Sequence, residues 1–395
     1  MTNKPQFVGE KVKLGSLIKP AKVERCGKQG YPILSITKDD GIVLQSTKFK
    51  KRIASKDTAS YKVVPRGKLI QGIHIDEANF AIQNLVDWGI VSPAYKVWDI
   101  DTAIVDPEYL ALALRSESSL AYYRRNLVGT VHRRGRMSNE VFYRLEVNLP
   151  SLQVQKRILA ILGDAASQIA YAQQQIAQLD SLVKSRFVEM FGDPVANPKG
   201  WDVSTIKKTA ITYGDGPFGS NLKSADYVPS GVRVIRLGNI MCGEFSEKDQ
   251  SYVSYEKFES LRKYECIPGE VVIATLGNPI LRACIVPDFG VPSIHKADCM
   301  YYETNKEMVL PVFAMCAINH LSMLQRALLD SHGQTRARIN STQAGNLPMI
   351  LPPMDLQQEF AAFVSQVDKS RFIAQQQIEK LQMLYDSLAQ EYFGD

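Results

Sequence analysis

The side chains best suited to act on a partner are arginines, lysines and asparagines gathered at a few places in the 395-residue chain. HRRGRMS (132–138) carries Arg133, Arg134 and Arg136. The stretch 202 positions later, QTRARIN (334–340), sets Arg336 on Arg134 and Arg338 on Arg136. A guanidinium is a planar fork of donors that meets guanine or phosphate bidentately, so an arginine pair kept at matched positions reads as a DNA contact. Surface salt bridging is the plain alternative for any one of them. KFKKR (48–52) adds Lys48, Lys50, Lys51 and Arg52 around Phe49, a cationic run suited to phosphate. GDGPFGSNLKSADY (214–227) is a glycine-rich loop that would bring backbone amides, Ser220, Asn221 and Lys223 to a surface. An asparagine there can pair with adenine.

Other chemistries lack their residues. Gly-Lys at 27–28 and 67–68 is not followed by Ser or Thr, so no phosphate-cradling loop for nucleotide hydrolysis is expected. No tripeptide has the form Asp/Glu-x-Lys of restriction-type nucleases, and LPPM (351–354) lacks the amide and aromatic needed to methylate an exocyclic amine. The histidines (His74, His132, His295, His320, His332) stand apart from one another, and Asp76 and Glu77 beside His74 have no partner motif. Six scattered cysteines without a paired spacing read as free thiols in a reducing cytosol, not as a zinc site. No catalytic residue, metal ligand or cofactor is expected on this chain. The start MTNKPQFVGEKVK has no apolar signal core, and VLPVFAMCAI (309–318) is too short to span a bilayer and reads as a buried helix. The expectation is a cytoplasmic protein that reads and scaffolds, with no membrane partner.

Charge is unevenly placed. Residues 1–148 hold 24 Lys+Arg against 15 Asp+Glu, residues 149–193 hold 4 and 4, residues 194–350 hold 16 and 15, and residues 351–395 hold 3 and 7. A basic first block suits a polyanion.

The elements that must position these residues come from a duplication. AYAQQQIAQLDSLVKSRFVEMFGD (170–193) returns as FIAQQQIEKLQMLYDSLAQEYFGD (372–395), and the offset of 202 also sets Pro150 on Pro352, Gln155 on Gln357 and Gly67 on Gly269. Apolar residues then follow three- and four-residue steps: Ile158, Leu162, Ala165, Ile169, Ala172, Ile176, Leu179, Val183 and later Met190 in the first copy; Phe360, Val364, Val367, Ala374, Ile378, Leu381, Tyr385, Leu388 and Tyr392 in the second. That is a coiled-coil seam. Arg371 interrupts it and is expected to reach outward to water. From Gln153 to Met190 a continuous helix would run about 57 Å at ~1.5 Å per residue and leave a wet stripe unless paired. The other copy is the natural partner. The predicted architecture is α+β: two mixed α/β globular domains (1–148 and 194–350) separated by two long helical regions (149–193 and 351–395). The helices pair as an antiparallel coiled coil in a pseudo-two-fold tandem repeat, with the domains at opposite ends. GVRVIRLGNI (231–240) and GEVVIATLG (269–277) read as strands, YLALALRS (109–116) and VFAMCAINHLSMLQRALL (312–329) as helices.

The order globular, helical, globular, helical resembles the specificity subunit of type I restriction–modification systems. LPSLQVQKRILAIL and LPPMDLQQEFAAFV, each running on to FGD, carry the clearest wording, and DGPFGSNLKSADYVPSGVRVIRLGNI with GEVVIATLGN looks like a target-recognition domain of that family. The first globular block lacks the DG.FGS wording. The resemblance implies that each head reads one half of a bipartite, asymmetric site on double-stranded DNA, with Asn278 joining the contacts of the second head. It also implies that the helices set the gap and dock two modification (methyltransferase) subunits, and that restriction (motor-nuclease) subunits join the complex. S-adenosylmethionine, ATP and Mg would then be ligands of the partners. A silent spare specificity subunit or a coiled-coil adaptor with protein-binding heads remains an alternative, whereas a single-chain restriction enzyme would need the motifs that are missing.

Overall fold

The computed structural model describes residues 9–37, 41–48, 57–127, 137–331 and 337–394. Its contacts divide the chain into two compact units, one made of residues up to Gln173 together with Gln376 onward, the other of Gln174–Gln375.

In the first unit the head is closed by its own ends: Glu10–Lys13 pairs antiparallel with Glu146–Leu149, just before the long helix begins at Leu152. Its main sheet runs in the order Ile18–Pro20, Lys96–Ile100, Leu69–Gln71, Phe80–Ile82. The helix Pro107–Arg115 starts where the Asp106 side chain accepts from the backbone N–H of Glu108 (2.9 Å) and Tyr109 (3.4 Å), with Pro107 preset for the first turn. It buries Tyr109, Leu110 and Leu114 beside Leu14, Leu69, Phe80 and Trp98.

The second unit repeats this plan with other residues. Asp202–Thr205 pairs with Pro348–Leu351 before the helix that begins at Met354. The main sheet runs Ala210–Gly214, Cys299–Thr304, Val271–Ala274, Arg282–Ile285, the same first-fourth-second-third order as in the other head. A second sheet of Tyr227–Val228, Ser251–Val253, Val232–Ile235, Ser293–His295 and Glu265–Cys266 has one parallel pair, Val232–Ile235 with Ser293–His295. The run 312–329 differs from the single helix its spacing predicts. It breaks into Pro311–Ile318 and Leu321–Leu329. The cause is Asn319, whose amide donates to Ala283 O and accepts from Ala283 N, both at 2.8 Å, tying the helix end to a strand. His320 then caps the next helix, its Nδ1 accepting from Ser322 N.

Leu152–Phe191 and Met354–Phe393 are unbroken 40-residue helices. Every seam position read from the sequence is buried or half-buried, while most residues between are exposed. Within the second unit the pairing is antiparallel: Arg186 reaches Glu359 at 2.8 Å, and Arg371 reaches Asp180. Within the first, Ile158 and Leu162 share a core with Tyr385, Leu388 and Tyr392. Arg371 therefore does not simply reach out to water: half-buried, it bridges Asp368 on its own helix and Asp180 on the other, a polar link within the seam.

Each helix start is fastened to its head by one amide. Gln155 Oε1 accepts from Asp106 N (2.7 Å), and Nε2 donates to Ile104 O (3.0 Å) and Pro150 O (2.8 Å). Gln357 repeats this with Leu310 N (2.9 Å), Met308 O (3.0 Å) and Pro352 O (2.9 Å). Both side chains are wholly buried. Each helix end closes a core. Phe191 packs on Phe313 and Phe360 in the second unit, with Trp201 Nε1 donating to its carbonyl at 2.9 Å. Phe393 packs on Tyr109 in the first, with Ser118 Oγ donating to its carbonyl at 2.7 Å.

Replacing either glutamine strands three backbone groups with no water in reach. Gln155→Ala and Gln357→Ala are each expected to destabilise the chain by roughly 2–4 kcal/mol, read as a lowered midpoint in chemical denaturation.

Candidate nucleic-acid interface

The second unit gathers several of the expected residues around one loop. Residues 215–218 run without regular structure into a short turn at Gly219–Asn221, with Asn221 N donating to Phe218 O at 3.3 Å. Gly216 has to be glycine: a Cβ there would lie 2.4 Å from Lys296 O. That close approach lays the loop along 295–298. Phe218 is left half-exposed, and Asn221 and Lys223 are exposed beyond it. Arg338 comes to the same place. Its residue bridges Leu276 across the chain, its guanidinium meets Asp298 at 2.7 Å, and it lies 5.7 Å from the Phe218 ring centroid. Asn278 is exposed two residues past that bridge, with Gly277 N donating to Ala337 O at 3.3 Å. Asp215 completes the group. Burial pushes its carboxyl above the usual range, a Ser341 hydrogen bond opposes the shift, Asp298 adds to it and Arg338 opposes it.

Of the residues singled out in the sequence, Arg338, Asn221, Lys223, Asn278 and the backbone of Ser220 thus lie on neighbouring segments. Lys48 is exposed at the end of the short helix Gln45–Lys48 in the other unit. Lys50, Lys51, Arg52, Arg133, Arg134, Arg136 and Arg336 lie outside the described residues.

Four further cationic positions come from the fold. In the second unit Lys296 Nζ donates to Tyr227 Oη at 3.0 Å, and Arg236 lies over the same ring while pairing with Asp249 at 3.0 Å. Arg236 stands in the strand-like run GVRVIRLGNI (231–240) and Lys296 in SIHKAD (293–298), and a charge beside apolar residues is the signal each offers. In the first unit Lys62 and Lys96 are held close enough to repel. Burial lowers the Lys62 ammonium from its usual value, and burial together with Lys62 lowers that of Lys96. Lys62 donates to Tyr95 O, and Lys96 donates to Asn139 Oδ1 at 2.7 Å.

Around the second-unit loop each of several cations already has an acid: Arg338 has Asp298, Arg236 has Asp249, Lys257 has Asp226. Such exposed pairs are each worth about 0–1 kcal/mol, so a phosphate or base edge can compete for the cation. The arrangement suits local hydrogen bonding more than a broad positive field. Buried Arg233, by contrast, is structural, pairing with Glu247 at 3.0 Å and Asp249 O at 2.8 Å. No single helix among the described residues is long and apolar enough to cross a membrane.

No protein-family model matches the chain. It is similar over 222 residues, at 22% identity, to the MjaVIII specificity subunit of a type I restriction enzyme from Methanocaldococcus jannaschii, covering 52% of the chain and 50% of the relative. A putative MjaX specificity subunit from the same organism is 21% identical over 199 residues, 50% of the chain and 46% of the relative. The chain thus spans about half the length of the curated relatives it matches. Its fold matches, with TM-score 0.57 at 15% identity, a structure solved for complex assembly and conformational transition of the type I R-M system, covering 98% of this chain and 97% of that one. It matches the type I restriction–modification S subunit from M. genitalium with TM-score 0.54 at 14% identity, covering 100% and 98%. In sequence and in fold the chain is therefore similar to type I specificity subunits.

Because the Arg338 side chain is 50% exposed, Arg338→Gln is expected to change stability by about 1 kcal/mol or less, measured by thermal unfolding. A larger loss would place the residue in the framework of the head.

Proposed function

We propose that this chain is the DNA-recognition subunit of a type I restriction–modification complex. Residues 1–148 and 194–350 each read one half of a bipartite, asymmetric site on double-stranded DNA. The helical regions 149–193 and 351–395 set the gap and dock two modification subunits, and restriction subunits complete the assembly in the cytoplasm. The observation that carries this reading is the duplication at the level of fold: one sheet order and one buried glutamine clamp, used twice, beneath surfaces made of different residues. Two frames of the same build with different surfaces suit two different half-sites presented at a fixed repeat. Half-sites on one face of DNA recur about every 34 Å, so a stiff spacer is what such reading requires.

The chain supplies positioning and no bond-breaking step. Methyl transfer with S-adenosylmethionine, and ATP- and Mg-dependent cleavage, fall to the partners. Large apolar residues left exposed on the helices support docking there: Tyr171 and Met383 in the first unit, Phe372 and Ile373 in the second, between 62% and 73% exposed apart from the seam. In the heads, the basic surplus of residues 1–148 suits phosphate contacts, and the loop around Arg338 suits base edges.

The test is genome-wide mapping of N6-methyladenine with the gene present and deleted. The expected outcome is loss of one split, asymmetric motif on deletion; an unchanged methylation map would overturn the reading. Arg336→Ala with Arg338→Ala is expected to weaken binding at the second half-site about tenfold or more, leaving assembly with modification subunits intact. DNA affinity measured by titration should also fall steeply as salt rises.

A further inference from the structure

One buried cluster has no part in DNA reading. Cys266 ends the strand Glu265–Cys266, and Ile267–Glu270 then form a tight turn in which Glu270 N donates to Ile267 O at 3.1 Å. Pro268 fixes one backbone angle of that turn and Gly269, at φ 91°, takes the left-handed one. The turn brings the Glu270 carboxylate back beside its own strand, where Cys266 Sγ donates to Oε2 at 3.4 Å. His295 ends the neighbouring strand, wholly buried, its ring stacked on Tyr301 at 4.6 Å and 9°. Neither imidazole nitrogen has a hydrogen-bond partner. One donor atom from each of Cys266, Glu270 and His295 lies within 4.8 Å of the other two.

Buried imidazoles are ordinarily satisfied, so an imidazole with two orphan nitrogens, one of them within 4.8 Å of a thiol and a carboxylate, marks a missing partner. Sulfur, nitrogen and carboxylate oxygen together are donors that zinc accepts. The electrostatics agree: burial pushes the Cys266 thiol well above its ordinary value and the Glu270 carboxyl to about 7, and pulls His295 down to about 3. A dication would reverse the first two and use the neutral imidazole as it stands. The matching strand pair of the first unit, Lys62–Pro65 with Trp88–Val91, carries other residues. There Val64 pairs with Gly89 as Cys266 pairs with Ser293, so Val91 stands for His295 and Lys68 for Glu270. The same frame thus carries two valines and a lysine in the first head, and three ligand-type residues in the second.

We propose that Cys266, Glu270 and His295 bind a divalent metal ion of the zinc class, which ties the 267–270 turn to the strand carrying His295. On binding, Cys266 releases its thiol proton to solvent as the sulfur–metal bond forms. The ion would steady the root of Lys296 and Asp298, which follow His295 directly and hold Tyr227 and Arg338.

The test is cobalt(II) titration into the full-length chain after chelator treatment, followed by the thiolate-to-cobalt absorption band, with zinc content of the untreated chain measured by mass spectrometry. One ion per chain and a thiolate band are expected. Cys266→Ser should abolish the band, and Glu270→Gln should weaken cobalt affinity roughly a hundredfold, since even groups behind the ligands cost ten- to a hundredfold. Cys284→Ser, which removes a neighbouring thiol of the same apolar cluster, should leave the band unchanged. Absence of zinc and of the band in the natural chain, or loss of the band in Cys284→Ser but not in Cys266→Ser, would overturn the site. Because the readout is spectroscopic and independent of DNA, its failure leaves the recognition reading untouched, and the reverse holds.

Discussion

A side-chain amide sealed from water must find three or more partners or cost the fold heavily, and the molecule uses that constraint twice. Gln155 and Gln357 each join the first turn of a long helix to the loop before a buried helix of the head, and to the proline-bearing turn just behind. Apolar packing tolerates small slips. A carbonyl and an N–H aimed at one amide do not. The direction in which each helix leaves its head is therefore set by hydrogen-bond geometry, and the apolar seam needs only to hold the two helices together once they have been aimed.

The same contrast explains what could be read from the sequence. The seam was legible because helix periodicity puts Ile158, Leu162 and Ala165 on one face whatever surrounds them. The matched pair Gln155 and Gln357 was visible, but its role was not, since its partners are backbone groups near residues 104–106 and 308–310. The shared frame of the heads was hidden for a related reason. Its strands are three to six residues long, and Leu69–Gln71 and Val271–Ala274 occupy the same place with hardly a residue in common. Pairing order is a property of backbone, and the side chains have been free to change over it. The break at 319–320 was missed because Asn319 is held by a strand 36 residues back.

For the candidate interface, the loop 214–227 was legible from its glycines and amides, and Arg338 from its match with Arg136. What the sequence did not display was the pairing of Arg338 with Asp298, which lies 40 residues earlier in the chain and meets the guanidinium at 2.7 Å. Lys296 and Arg236 share a single tyrosine ring, an economy that only the fold reveals.

The closure of each core by a distant phenylalanine has a consequence for the order of events during synthesis. The second unit is one uninterrupted stretch, Gln174–Gln375, with Phe191 already inside it. It can assemble as it leaves the ribosome. The first unit is built from both sides of that stretch, and Tyr392 and Phe393 belong to its core. At roughly 5–20 residues per second, its head waits on the order of 10–40 s for the segment that covers Tyr109 and Leu114. Through that interval the nascent head presents an open apolar face, and the part of the chain made first is the last to finish.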